Sequence, residues 1–221
     1  MALYHPGIFE VADIEQAKAV ILTDEGRDGG VAARWAMETP YVLDLVDQAF
    51  ALRPDMTVLD HGCGIGRMAR VMIERAGCQV IGVDISRAMR ALAAEYVRSE
   101  QFLAVSPQQF DGLVGAGLRV DAAISVWVLQ HCLDLAAEVE RIRRSLAAGG
   151  RVFVLNMPKR AVPVVPGPGT GNDGFAWASD GVDVAGLLRG SFTVLAEGSL
   201  DVSRVPHVGD AGAFWMSLRV R

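Results

Sequence analysis

Val58-Leu-Asp-His-Gly-Cys-Gly-Ile-Gly66, followed eighteen residues later by Asp84 at the end of Val80-Ile-Gly-Val-Asp84, is the stretch that decides the fold. Val58 and Leu59 read as the end of a buried strand. The glycines read as a turn whose missing side chains let something approach the backbone. From Arg67 the run Met68, Ala69, Val71, Met72, Ile73 is apolar enough for a helix packed on a sheet. The N-terminus of that helix would point its free N–H groups and partial positive charge into the loop. Asp84, at the end of the next parallel strand, is placed to accept hydrogen bonds from both hydroxyls of a ribose. A nucleoside-containing cofactor follows.

Spacing narrows the choice. A dinucleotide site needs Gly-x-Gly-x-x-Gly, whereas Gly62, Gly64 and Gly66 give Gly-x-Gly-x-Gly with Asp60 two positions ahead. A phosphate loop would need Gly-Lys-Ser/Thr, and none is present. An acidic residue ahead of the loop suits a ligand carrying ammonium and sulfonium groups better than a pyrophosphate. On these residues the chain resembles the class I S-adenosylmethionine-dependent methyltransferases of small-molecule type. The resemblance covers roughly residues 55–160 motif by motif. It implies that Asp60, Gly62, Cys63 and Gly64 surround the methionyl end of the cofactor, S-adenosylmethionine, with S-adenosylhomocysteine as product. It also implies that Asp84, followed by Ile85, holds the ribose. Cys63 itself reads as a small buried thiol rather than a nucleophile.

Outward from the loop, strands and helices alternate. Strands are expected at 56–60, 79–83, 102–105, 122–126 and 151–155. Ser86 is the expected cap of one helix and Asp134 of another at 134–146, with Gly149-Gly150 as its stop. Residues 107–117 are poorly patterned. A helix near 182–190 and strands at 191–197 and 212–219 close the chain. The expectation is a doubly wound, Rossmann-like α/β fold, with helices on both faces of a mostly parallel seven-stranded sheet. The resemblance makes its last strand antiparallel. One domain accounts for all 221 residues. Within it, 1–53 form a helical cap, 54–160 the cofactor-binding core, 161–181 a Pro/Gly-rich loop, and 182–221 a closing helix and hairpin. The cap holds two helical segments, one on Ile14, Ala17, Val20 and Ile21, the other on Tyr41, Leu45, Val46 and Ala49. Thr23 to Gly30 form a hinge between them.

Half the residues are hydrophobic, which argues against disorder, and the net charge of −5 argues against a nucleic-acid binder. No apolar stretch approaches a bilayer span, and the N-terminus lacks the layout of a signal peptide. Cys63, Cys78 and Cys132, odd in number and without Cys-x-x-Cys spacing, fit reduced thiols. A cytoplasmic protein is expected.

Several positions bear on substrate. Related enzymes often place an acidic residue after the third strand to hold the adenine; here Ser106-Pro107-Gln108 stands there, leaving Ser106 or Gln108 as the contact, with helix capping the alternative for Ser106. After the fourth strand, Val126-Trp127-Val128-Leu129-Gln130-His131 lacks the Asn/Asp-Pro-Pro-aromatic motif of base-methylating enzymes. Val126 is a cofactor-binding candidate. His131 is either a catalytic base toward a hydroxyl or amine, or a structural imidazole. Arg34 and Trp35 either reach the cofactor or sit on a helix surface. Lys159-Arg160 either suits an anionic acceptor or is a solvated pair. Asn156 lacks the adjacent aspartate of metal-dependent relatives and no metal is expected. Phe175, Trp177 and His207 are candidate pocket walls, and 158–181 a candidate lid. The favoured activity is O- or N-methylation of a small molecule. A nicotinamide oxidoreductase and a non-catalytic cofactor-binding protein are the alternatives.

Overall fold

Neighbouring residues of the central strands bury on opposite faces of one sheet. Val58, Val80, Ala122 and Phe153 pack into one apolar cluster, while Leu59, Ile81, Ala123 and Val152 pack into another. Strands buried on both faces are near-continuous runs of branched residues, and such runs favour parallel pairing covered by helices. The computed structural model describes residues 4–22, 30–165, 176–206 and 212–221.

In chain order the described elements are α1 (Ile14–Ile21), α2 (Gly30–Phe50), β1 (Thr57–His61), α3 (Arg67–Ala76), β2 (Gln79–Val83), α4 (Arg87–Val97), β3 (Phe102–Val105), α5 (Pro107–Gly115), β4 (Val120–Val126), α6 (Leu135–Ser145), β5 (Leu146–Asn156), β6 (Lys159–Val164), β7 (Ala176–Asp183), α7 (Val184–Ser191), β8 (Thr193–Ser199) and β9 (Phe214–Arg219). Two short 3-10 turns, Pro6–Phe9 and Leu129–His131, flank the cavity described below. The main sheet runs β3-β2-β1-β4-β5-β9-β8. The first five strands are parallel, and β9 is antiparallel to both β5 and β8. The seven-stranded, mostly parallel sheet is as expected. Among the described residues no helix is long and apolar enough to cross a membrane.

Four local expectations need correction. First, α2 is one helix of 21 residues, so Arg34 and Trp35 lie inside it. Pro40 does not divide it, because Pro40 and Ala36, whose carbonyl loses its donor, are both exposed. Second, residues 107–115 are helical: Ser106 caps α5 through a reciprocal capping box with Gln109, a local device that outweighs weak periodicity. Third, Gly149-Gly150 do not stop a helix. Helix α6 ends at Ser145, and β5 begins at Leu146 with a register shift against β4. Fourth, the expected 161–181 loop contains strands β6 and β7, paired as a separate antiparallel two-stranded sheet. Pro163 is tolerated there because only its carbonyl is used, accepting from His5 N–H at 2.9 Å. Residues 166–175 of that segment, Phe175 among them, lie outside the described residues, as do most of the 23–30 hinge and His207.

Candidate active site

Strand order reverses at β1, between β2 and β4. Open α/β sheets bind ligands at the carboxyl ends of the strands at such a switch point. A cavity of about 1050 Å³ lies there. One end is lined by Gly62, Gly64, Val83, Asp84, Ile85 and Val126, the other by Tyr4, Phe9, His131, Lys159 and Trp177.

The glycine loop is held to β2 through Val83, whose carbonyl accepts from Gly62 and Cys63 N–H at 2.7 and 3.0 Å. Gly62 and Gly64 both have positive φ, and a Cβ on either would strike the chain itself. It would lie 2.3 Å from Val128 at Gly62 and 2.7 Å from Ile21 at Gly64. The glycines therefore admit close packing of the chain on the loop as well as an approach from the cavity.

Asp84 ties the loop to α4. Its Oδ2 accepts from Gly64 N–H at 2.8 Å and its Oδ1 from Ser86 N–H at 2.8 Å. Each carboxylate oxygen has a further lone pair, so a diol can still be bound from the cavity side. Burial pushes the Asp84 carboxyl up, against the two N–H donors and Arg90. Asp60 is 3 % exposed, sits behind the cavity lining, and its Oδ2 has no partner. Burial raises its pKa to about 7, although the Arg67 charge and the Ala69 N–H oppose the shift. A buried carboxylate oxygen without a hydrogen-bond partner, behind a glycine loop, lends a negative potential to the loop's cavity side. The donors and acceptors present therefore fit a cationic, ribose-bearing ligand.

Cys63 is buried beneath the loop against Gly82, outside the cavity lining. Burial pushes its thiol well up, so it is a protonated packing group. Ser106 also falls outside the lining, and Pro107 lines the cavity instead. The Ser106 hydroxyl accepts from Gln109 N–H at 3.2 Å, which is its capping role.

Helix α2 brings two groups, Arg34 and Glu38, into a cluster that no motif announces as a unit. Glu38, fully buried, accepts from Arg34 Nε at 3.0 Å, Arg67 Nη1 at 3.2 Å and Trp127 Nε1 at 2.6 Å. Arg34 lines the cavity and lies over the Trp127 ring at 5.8 Å. Trp127 has a φ of 64°, a left-handed conformation unusual for a bulky residue, directly after β4. Its anchored indole holds it there. Trp35 packs edge-on to Tyr96 instead of facing the cavity.

Two histidines border the cavity, and their partners separate them. His61 is saturated: Nε2 lies 2.9 Å from Glu138 Oε2 and Nδ1 lies 3.3 Å from Ser125 Oγ. Burial alone would raise Glu138, but His61 and Arg141 bring it down to about 2. His131 Nδ1 lies 2.7 Å from the Ala161 carbonyl, which can only accept, so Nδ1 carries the proton and Nε2 the lone pair. Gln130 Nε2 lies 3.0 Å from that lone pair. Burial lowers the His131 pKa, with the Ala161 carbonyl opposing, so the ring is neutral. Gln130 is itself locked in place. Its Oε1 accepts from Met157 N–H at 2.7 Å, and its N–H donates to the buried Asn156 Oδ1 at 3.2 Å. Arg160 is ion-paired with Asp180 and bonded to the Cys132 and Leu133 carbonyls. The expected basic pair thus reduces to Lys159. Among the described residues no cluster of three or more His, Cys, Asp or Glu is placed to hold a metal.

The cavity-bearing region matches a known family. Residues 34–180 match the family described as a methyltransferase domain. The chain is 37 % identical over 108 residues to N-demethylindolmycin N-methyltransferase of Streptomyces griseus, covering 45 % of this chain and 43 % of that one. It is 32 % identical over 114 residues to phosphoethanolamine N-methyltransferase 2 of Caenorhabditis elegans, covering 51 % of this chain and 26 % of that one. It therefore spans less than half the length of either relative. Among solved structures, a Pyrococcus horikoshii protein superimposes with a TM-score of 0.61 at 19 % identity, over 92 % of this chain and 96 % of that one. A Streptomyces coelicolor geranyl diphosphate C-methyltransferase, solved with S-adenosyl-L-homocysteine, superimposes with a TM-score of 0.58 at 13 % identity, over 82 % of this chain and 76 % of that one.

Proposed function

The chain belongs to the methyltransferase domain family, and from that premise we propose that it transfers a methyl group from S-adenosylmethionine to the hydroxyl or amine of a small molecule. The observation that carries this reading is the pairing of Asp60, a buried carboxylate with one vacant oxygen, with the diol-ready Asp84 on either side of one glycine loop. In this reading Asp84 binds the ribose, the loop from Gly62 to Gly64 faces the methionyl cation with the Asp60 charge behind it, and Arg34 holds its carboxylate. Ile85 and Val126 cover the nucleoside. The cofactor supplies an electrophilic methyl carbon. Everything else the protein does is alignment, exclusion of water, and removal of one proton.

The proton falls to His131. Its neutral ring, with Nδ1–H fixed on the Ala161 carbonyl, presents the Nε2 lone pair toward the cavity. Gln130 occupies that lone pair while no acceptor is bound. Base action therefore requires the Gln130 side chain to give up its Met157 bond and turn away, so that an acceptor O–H or N–H can donate to the ring. Two curated relatives are named for nitrogen acceptors, which supports an amine among the candidates. The test is twofold. Calorimetry should detect S-adenosylhomocysteine binding, and incubation of S-adenosylmethionine with an amine and phenol library should release S-adenosylhomocysteine. Binding of a nicotinamide cofactor in its place would overturn the reading.

A further inference from the structure

The end of the cavity remote from Asp84 has a chemistry of its own. Its wall is a row of rings contributed by three separate segments. Phe9 lies 6.4 Å from His131 between centroids, and His131 lies 4.5 Å from Trp177. The hairpin β6–β7 builds this row: the Ala161 carbonyl of β6 fixes the imidazole, and β7 brings up the indole. Trp177 remains 44 % exposed although it lines the cavity. This part-exposed indole, beside an oriented imidazole, offers a stacking surface to the cavity. Lys159, two residues before Ala161, is exposed and also lines the cavity. Among the described residues no carboxylate pairs with it, whereas the other cavity-lining cation, Arg34, is bound to Glu38.

Resting on the methyltransferase reading, we propose that this lobe takes a flat, conjugated acceptor bearing an anionic group. The ring system lies against Phe9, His131 and Trp177, the acid meets the Lys159 ammonium, and the nucleophilic heteroatom reaches His131 Nε2. A ring wall could also receive an ammonium by cation–π attraction, and Glu10 offers a carboxylate at the rim. Of the other carboxylates lining the cavity, Glu138 is committed to His61 and Arg141 and Asp134 caps α6, whereas Lys159, on the same hairpin as Trp177, has no carboxylate paired with it among the described residues; that decides for the anion.

The test uses 6-hydroxy-2-naphthoate, its neutral hydroxymethyl and cationic aminomethyl counterparts, and decanoate, titrated into the full chain with and without S-adenosylhomocysteine. The naphthoate should bind at least about tenfold more tightly than its neutral counterpart. Lys159→Gln should erase that difference while leaving S-adenosylhomocysteine affinity unchanged. Trp177→Leu should weaken all three naphthalenes and leave decanoate alone. Tighter binding of the cation, parity of decanoate with naphthoate, or an unaltered Lys159→Gln profile would each overturn the proposal. Absence of S-adenosylhomocysteine binding would count against the cofactor reading instead, since the anion preference is still read in titrations without it.

Discussion

Asp60 and Asp84 sit at the ends of adjacent strands, yet their surroundings give them different work. Asp84 is satisfied by two backbone donors and keeps spare lone pairs. Asp84→Asn should weaken S-adenosylhomocysteine at least about tenfold, as expected for loss of charge-assisted hydrogen bonds, with a folded protein by circular dichroism; unchanged affinity would remove Asp84 from the ribose site. Asp60 is raised from 3.8 to about 7, chiefly by burial. The native state therefore holds this proton more tightly than the unfolded chain does. The stability it contributes is fully present below about 4 and is lost as pH rises through about 7. The Tm of the ligand-free protein should decline across that window, and Asp60→Asn should flatten the decline. A bound sulfonium favours the ionised carboxylate, so S-adenosylmethionine affinity should rise with pH up to about 7 and then level off. A calorimetric pH series reads both the affinity and the released proton. His131, lowered by burial, should place the acid limb of the turnover profile below the ordinary histidine value of about 6.5. His131→Ala should cut turnover by roughly 10²–10⁴ while sparing cofactor affinity. Full activity in that variant would leave alignment alone as the source of rate.

At the scale of elements, the cluster around Glu38 joins α2 to α3 and to the turn after β4. Breaking a buried charge pair on one side strands the remaining charges, at a cost of about 3–5 kcal/mol. Glu38→Ala leaves Arg34 and Arg67 facing each other and frees the Trp127 indole. A fall in Tm on the order of 10 °C is expected for a domain of this size, with loss of the left-handed turn that seats Val128 on Gly62. A thermal melt checks the first; a melt within about 2 °C of the parent would mean that the cluster is screened more than its burial implies. Residues Ser106 and Gln109 show the opposite case, in which a four-residue device makes α5 form without strong amphipathicity. The hairpin β6–β7 forms although Pro163 interrupts its donors, because its partners are tertiary: His5 N–H, the Tyr4–Val164 bridge and the His131 ring.

Across the whole molecule, the segment from Tyr4 to Phe9 closes the acceptor end of the cavity by pairing with β6. Deleting residues 1–9 should leave the main sheet and S-adenosylhomocysteine affinity nearly unchanged, while loosening hairpin β6–β7 and raising the acceptor KM several-fold; a parallel loss of cofactor affinity would show that the segment supports the whole site. The sequence by itself determined the glycine-loop half of the cavity. Asp60, the glycines and Asp84 are encoded within a short span, and strand pairing of neighbours brings that span together in only one way. The parallel sheet and the Ser86 and Asp134 caps were legible for the same reason, being set by local periodicity and short-range hydrogen bonds, whereas the antiparallel direction of the closing strand came from the family resemblance. The choice between capping and adenine contact at Ser106 was left open by the sequence, and only the tertiary structure decided that Cys63 lies under the loop, that Arg160 is consumed by Asp180, and that Gln130 covers the His131 lone pair. It alone assembled Glu38 with Arg34, Arg67 and Trp127, and placed Phe9, His131 and Trp177 in one row. The pairs Glu38–Arg67, Glu38–Trp127, Arg160–Asp180 and His131–Trp177 join positions 20 or more residues apart, and no spacing rule encodes a contact that depends on where independently folded segments dock on the sheet.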